Sequence, residues 1–139
     1  MRRRTPGMPG NNERKVYDMR AKSHESGENY LEAILVLTEK KGYCRSVDVA
    51  EYLDITKPSV SVAVSRMVKD GYLETDQNKF LHLTEKGRRI ASQTYEKHIF
   101  FLKKLKEAGV EEEIADVEAC AMEHGISYDS FLKVKKMFQ

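Results

Sequence analysis

Residues 46–73 read SVDVAEYLDITKPSVSVAVSRMVKDGYL, and the fold turns on this stretch. Ser46 is placed to cap a brief helix from Val47 to Leu53, with Ala50 as the small residue where another helix can come close. Asp54-Ile55-Thr56 reads as a turn. Thr56 then caps a second helix, and Pro58 is tolerated because first-turn amides have no intrahelical acceptor. Val60, Ala63, Val64, Met67 and Val68 recur at i, i+3, i+4, i+7 and i+8, the signature of a core-facing stripe. The opposite face carries Lys57, Ser59, Ser61, Val62, Ser65, Arg66 and Lys69. Small hydroxyls flanked by cations suit a helix that enters a major groove, since no bulky side chain blocks the approach. The expected DNA-contacting residues are Thr56, Lys57, Pro58, Ser59, Ser61, Val62 and Arg66.

Working downstream, Gly71 ends that helix. Tyr72–Thr75 and Phe80–Leu83 read as two strands joined at Asp76–Lys79. A helix-turn-helix followed at once by a hairpin is a winged helix. Lys79, at the wing tip, is placed to meet phosphate, and His82 reads as an exposed strand residue. Thr84 caps a long helix, Glu85 to about Lys106, with a partial stripe of Ile90, Thr94, Phe101, Leu102 and Leu105. Lys86, Arg88 and Arg89 near its start could flank DNA. Upstream, Ser26 opens a helix that ends at Lys41-Gly42 and buries Leu31, Ile34, Leu35 and Thr38. Asn29 and Glu32 fall beside that stripe, where first-turn capping and the helix dipole account for them.

Residues 1–24 hold seven Lys/Arg against two Asp/Glu, a charge of +5, so the remaining 115 residues carry −3 of the net +2. With Pro-Gly steps and no apolar period, this segment is expected to be a disordered basic tail, either an arm for phosphates or a solvated extension. Hydrophobic residues make up 40% of the 139, enough for one domain or two small ones. No apolar run is long enough to span a bilayer, and the basic start lacks the apolar core of a signal peptide. The expected location is the cytoplasm. Two cysteines, Cys44 and Cys120, make no disulfide framework and are expected to be free thiols or ligands.

One further stretch carries chemistry. Glu111 to Met122 reads as a helix, and its end presents Cys120, Glu123 and His124 at i, i+3 and i+4, on one helical face. A thiol, a carboxylate and an imidazole converging there form half of a transition-metal site. Cys120 with His124 could also be read as a nucleophile and base, but no oxyanion donors or third orienting group accompany them, so an enzyme is not expected. Ser127 caps a last helix, where Tyr128, Phe131, Leu132, Val134 and Phe138 form an apolar load that points to a partner chain.

From about Ser26 onward the sequence resembles the DtxR/MntR family of metal-dependent transcriptional regulators. The resemblance rests on Glu-Asn-Tyr-Leu-Glu-Ala-Ile (28–34), Val-Ala-Glu-Tyr-Leu (49–53), Lys-Pro-Ser-Val-Ser (57–61), Asp-Gly-Tyr-Leu (70–73), Leu-Thr-Glu-Lys-Gly-Arg (83–88), Lys-His (97–98) and Glu-Ala-Cys-Ala-Met-Glu-His (118–124). It implies a mainly α fold: a winged helix-turn-helix over residues 25–83, then a helical metal-binding and dimerisation domain over 84–139. The resemblance points to the short form of the family, with no SH3-like domain expected. It implies a homodimer that binds operator DNA when loaded with Mn(II) or Fe(II) and represses metal-uptake genes, with no organic substrate and no membrane. The ligand positions it implies are Asn29, Glu32, His98, Cys120, Glu123 and His124. Asn29 stands where the family has aspartate or methionine, Glu32 matches the manganese type, and Cys120 matches the iron type. A thiolate favours later, softer ions, so Co(II), Ni(II) and Zn(II) are expected to substitute in vitro. Asp116, one turn before Cys120, is a candidate second-site ligand. The competing readings are a winged-helix regulator gated by redox at Cys44 and Cys120 or by an organic ligand, and DNA binding without metal gating.

Overall fold

The structure, a computed structural model, describes residues 27–139; the expectation of a disordered basic tail over 1–24 lies outside them. The elements run α1 (Gly27–Lys41), α2 (Ser46–Leu53), α3 (Lys57–Lys69), β1 (Leu73–Thr75), β2 (Leu81–Leu83), α4 (Glu85–Glu107), α5 (Glu112–His124) and α6 (Tyr128–Lys136). The fold is mainly α with one two-stranded antiparallel sheet, as the sequence indicates. Two compact units divide it, with the boundary inside α4 between Tyr95 and Glu96.

In the unit ending at Tyr95, α1, α2, α3 and the hairpin close round one apolar core. Ile34, Val49, Val60 and Leu73 are each essentially inaccessible. The expected caps hold at α3, where the Thr56 hydroxyl accepts from the Ser59 amide at 3.3 Å, and at α4, where Thr84 Oγ1 accepts from Gly87 at 3.1 Å. At α2 the cap falls one residue before Ser46. Arg45 is the N-cap, and its amide donates to the Asp48 carboxylate at 2.9 Å. A carboxylate three residues into the helix thus replaces the hydroxyl the sequence offers. Asp54 ends α2 in the left-handed region at φ 56°, which a short polar residue tolerates.

The buried face of α1 is broader than a stripe. Tyr30, Ala33 and Leu37 are buried with the expected leucines and isoleucine, and Asn29 is only 3% exposed. Asn29 therefore lies within the buried face, not beside it. In α3, Val68 is exposed while Val60, Val64 and Met67 are buried, so the stripe is narrower than the sequence period suggests. The strands are three residues each, pairing Leu73 with Leu83 and Thr75 with Leu81. Leu81 also donates to the Cys44 carbonyl at 2.7 Å. Gly87 abuts the hairpin so closely that a Cβ there would lie 2.1 Å from the Tyr72 carbonyl oxygen.

The unit from Glu96 onward packs the rest of α4 with α5 and α6. Its apolar centre is small: Phe101, Ala119 and Phe131 are buried, with Phe100, Leu102 and Tyr128 packed around them. Edge-to-face ring contacts join Phe131 to Phe100 at 5.4 Å and to Phe101 at 5.8 Å. Ser127 caps α6 by accepting from Ser130 at 3.1 Å. The Tyr128 hydroxyl and Lys135 both reach the Glu96 carboxylate, at 2.7 and 2.9 Å. Buried Lys97 donates to the Ile126 carbonyl at 2.9 Å. The apolar load expected of the last helix is thus split: Phe131 serves the chain's own core, Tyr128 and Val134 are half-buried, and Leu132 and Phe138 stay exposed.

Candidate metal centre and recognition helix

The α5 helix begins with Glu112 and Glu113, whose charges suit the positive end of the helix dipole. It continues two residues past the expected end at Met122, to His124, and so carries Glu123 and His124 in helical register with Cys120. Ala115, Val117 and Ala119 are buried, and Glu123 is buried with them at 0% exposure.

One donor atom from each of Cys120, Glu123 and His124 lies within 4.8 Å of the others. The Cys120 sulfur is 4.0 Å from His124 Nε2. His124 Nε2 is 3.4 Å from Glu123 Oε1, and His98 Nδ1, from α4, is 3.1 Å from Glu123 Oε2. These are ion-pair distances, yet neither Glu123 oxygen accepts a geometrically sound hydrogen bond among the described residues. The Glu123 oxygens and the imidazole nitrogens thus lie close together without being joined by hydrogen bonds. Ligands held about 2.0–2.2 Å from a shared ion sit about 3.0–3.5 Å apart. The Glu123–imidazole separations fall in that interval. A fully buried carboxylate is costly unless charge or hydrogen bonds compensate it. The donor set of thiol, carboxylate and two imidazoles therefore fits a divalent transition ion.

Asp116 supplies what the four lack, an orienting group. His98 Nε2 lies 3.0 Å from Asp116 Oδ1, so the other ring nitrogen, Nδ1, is the one turned toward Glu123. A ring nitrogen held by a carboxylate fixes the tautomer and orientation of a metal-ligating histidine. The contact lies where the sequence reading placed a candidate second-site ligand. The signal was present: Asp116, Cys120 and Glu123 fall at i, i+4 and i+7, on one helical face. Asn29 and Glu32, on α1, belong to the other unit. They share a face at i, i+3; Asn29 is buried, and one Glu32 carboxylate oxygen is enclosed from solvent.

The residues expected to meet DNA are likewise placed. Lys57, Pro58, Ser59, Ser61, Val62 and Arg66 are exposed on α3. Thr56 and Ser59 are partly committed to capping, their hydroxyls 2.8 Å apart. Lys79 stands at the wing turn with φ 65°. Asp76 organises that turn: its carboxylate accepts from the amides of Asn78 and Phe80 at 2.9 and 3.0 Å and contacts His82 Nε2 at 2.8 Å. The His82 hydrogen bond, then the Phe80 amide, hold the Asp76 carboxyl below its ordinary value. Lys86 is turned to the hairpin, over the Tyr72 ring and onto the Asp70 carbonyl. Sequence reasoning missed Arg45, whose guanidinium lies 4.5 Å over the Phe80 ring beside the wing. Cys44 is fully buried, and burial pushes its thiol up to about 12. It is a core residue with almost no thiolate, which removes it from any redox reading.

Two family patterns match in sequence: "Iron dependent repressor, N-terminal DNA binding domain" over residues 23–81, and "Iron dependent repressor, metal binding and dimerisation domain" over 84–139. The transcriptional regulator MntR of Bacillus subtilis (strain 168) is 34% identical over 114 residues, covering 82% of this chain and 80% of that protein. MntR of Lysinibacillus sphaericus (strain C3-41) is 32% identical over 114 residues, covering 82% of each. Among solved structures, T. acidophilum IdeR is similar with a TM-score of 0.68 at 25% identity, covering 81% of this chain and 54% of that one. The manganese regulator SloR is similar with a TM-score of 0.65 at 26% identity, covering 78% and 54%. The chain thus spans about half the length of these two solved chains.

Proposed function

The chain belongs to the iron-dependent repressor family, the DtxR/MntR group of metal-dependent DNA-binding transcriptional regulators, and on that premise we propose that it represses metal-uptake genes when loaded with Mn(II) or Fe(II). The family is one of regulators, not enzymes. The observation that carries the metal reading is Glu123: a fully buried carboxylate whose two oxygens face the imidazoles of His98 and His124, with the Cys120 thiol close by.

In this proposal His98, Cys120, Glu123 and His124 hold the ion. Asn29 and Glu32 enter on the family resemblance alone. When bound, the divalent ion supplies positive charge to a centre that otherwise encloses a carboxylate. The protein's own residues do the remainder. Glu123, one residue from the end of α5, presents both oxygens from a fully buried position. Asp116 holds His98 with Nδ1 turned inward. The thiol biases the site toward later ions than an all-oxygen set would, so Co(II), Ni(II) and Zn(II) bind in vitro. The DNA-binding part presents α3 to a major groove and the wing to the backbone. The partners are double-stranded operator DNA and a second copy of the chain, joined through the domain over 84–139, and the site of action is the cytoplasm. No helix among the described residues is long and apolar enough to cross a membrane.

The deciding experiment is retention of a promoter-region duplex at fixed salt, first with EDTA, then with Mn(II), anaerobic Fe(II) and Zn(II) in turn. Retention only with metal, lost in Glu123→Ala and weakened in Glu32→Ala, supports the proposal. Equal retention with and without metal sinks it and leaves DNA binding without metal gating.

A further inference from the structure

We propose that Val62 reads the C5-methyl group of a thymine in the major groove, and that the operator therefore carries a thymine at that position of each half-site. The assignment rests on the operator-DNA reading above.

Val62 is 63% exposed in the interior of α3. A β-branched residue is a weaker helix former than alanine or a straight-chain residue, and one so exposed gains little from burial, so it adds nothing to α3 in the free protein. Val62 is therefore free to contact a partner without cost to the fold. Its surroundings say what it meets. Ser59 lies one turn earlier and Ser65 and Arg66 one turn later, so Val62 occupies the centre of the face that cations flank. Of the two hydroxyls nearest the start of the helix, Thr56 and Ser59 face each other at 2.8 Å and are occupied in the cap.

The exposed face of α3 carries no Asn, Gln, Asp or Glu. It thus lacks the amide pairing that reads adenine and the carboxylate that accepts from cytosine. What it offers at its centre is an isopropyl group, and the one apolar feature any base presents in the major groove is the thymine methyl. Val62 has no polar atom with which to satisfy a base edge. A thymine there lets it bury a methyl against two of its own, whereas cytosine offers only a C5–H at the same place.

The test uses the full chain with Mn(II) and a duplex enriched by it from a random-sequence pool. Each thymine of that duplex is replaced in turn by deoxyuridine, which lacks only the methyl. Wild type is expected to lose about fourfold in affinity at one position per half-site, the effect of one buried methyl-sized group. Val62→Ala, at an exposed helical site, is expected to fold normally, to bind the all-thymine duplex more weakly, and to be indifferent to uracil at that position. A selected duplex on which no uracil replacement affects wild type overturns the thymine assignment and leaves the regulator reading standing. An unchanged uracil penalty in Val62→Ala overturns it as well. Failure to enrich any duplex in Mn(II) overturns the operator reading and this assignment together.

Discussion

The two units are built on different principles. The one ending at Tyr95 closes on hydrocarbon: its largest fully enclosed side chains are Ile34, Leu73, Val49, Val60 and Cys44, alongside Thr94, which satisfies itself on the Ile90 carbonyl at 2.8 Å. The one beginning at Glu96 buries five apolar residues among those described, only Phe101 and Phe131 of them large, together with a glutamate and a lysine. Burial of hydrocarbon is insensitive to pH and ions, whereas a buried carboxylate makes stability depend on whatever compensates its charge. The first arrangement suits a rigid presenter of a helix. The second suits a part whose state an ion can change.

The sharpest attempt to break this contrast is at Phe131. With so small an apolar centre, Phe131→Ala is expected to cost about 3–5 kcal/mol in denaturant unfolding. A loss under about 1 kcal/mol would show that the polar groups already hold that unit together. In the other unit the comparable lever is steric. Gly87→Ala sets a Cβ against the Tyr72 carbonyl, a backbone atom that cannot swing aside, and is expected to cost roughly 3 kcal/mol. Metal should not rescue it if the two principles are separate.

Metal addition probes the polar centre directly. Mn(II) at about one hundred times its dissociation constant is expected to raise stability by about 2.7 kcal/mol. Glu123→Leu should abolish that gain while leaving the midpoint in EDTA unchanged or higher, because a buried charge is exchanged for hydrocarbon. Survival of the metal-induced gain in this variant would remove Glu123 from the ligand set. Asp116→Asn keeps the shape but weakens the hold on His98, and metal affinity measured by calorimetry should fall about 10- to 100-fold.

The smallest effect is on the wing. The Asp76 carboxyl is held below its ordinary value of 3.8, chiefly by the His82 hydrogen bond. Its contribution is full above that value and is lost as pH falls through the lowered one. Amide exchange at Phe80, which donates to Asp76, should accelerate relative to a reference amide only at such acid pH. In Asp76→Asn the acceleration should be present at every pH.

Much of this could be read from the chain in advance. The caps at Thr56, Thr84 and Ser127 were legible because a hydroxyl before an apolar-periodic run has one favourable use. The order of helix, turn, helix and hairpin was legible for the same local reason. The α2 cap was missed because Ser46 and Arg45 compete over one residue, and Asp48 decided in favour of the latter. Asn29 was misplaced because a 3.6-residue period marks which residues are apolar, not how wide a face the neighbouring helices cover. Asp116 was noticed for its position, but its contact with His98 spans 18 residues and no local pattern encodes it.

The sequence by itself determined the order of the helices and hairpin, the caps at Thr56, Thr84 and Ser127, which face of α3 is polar, and that Cys120, Glu123 and His124 share one side of α5. Each follows from spacing along a single element. Only the tertiary structure decided that His98 joins Glu123, that Glu123 is fully buried, that Gly87 admits no side chain, and that Val68 is left exposed although its spacing places it on the core stripe. Those outcomes depend on which surfaces meet, because burial and charge compensation arise between elements brought together from distant parts of the chain.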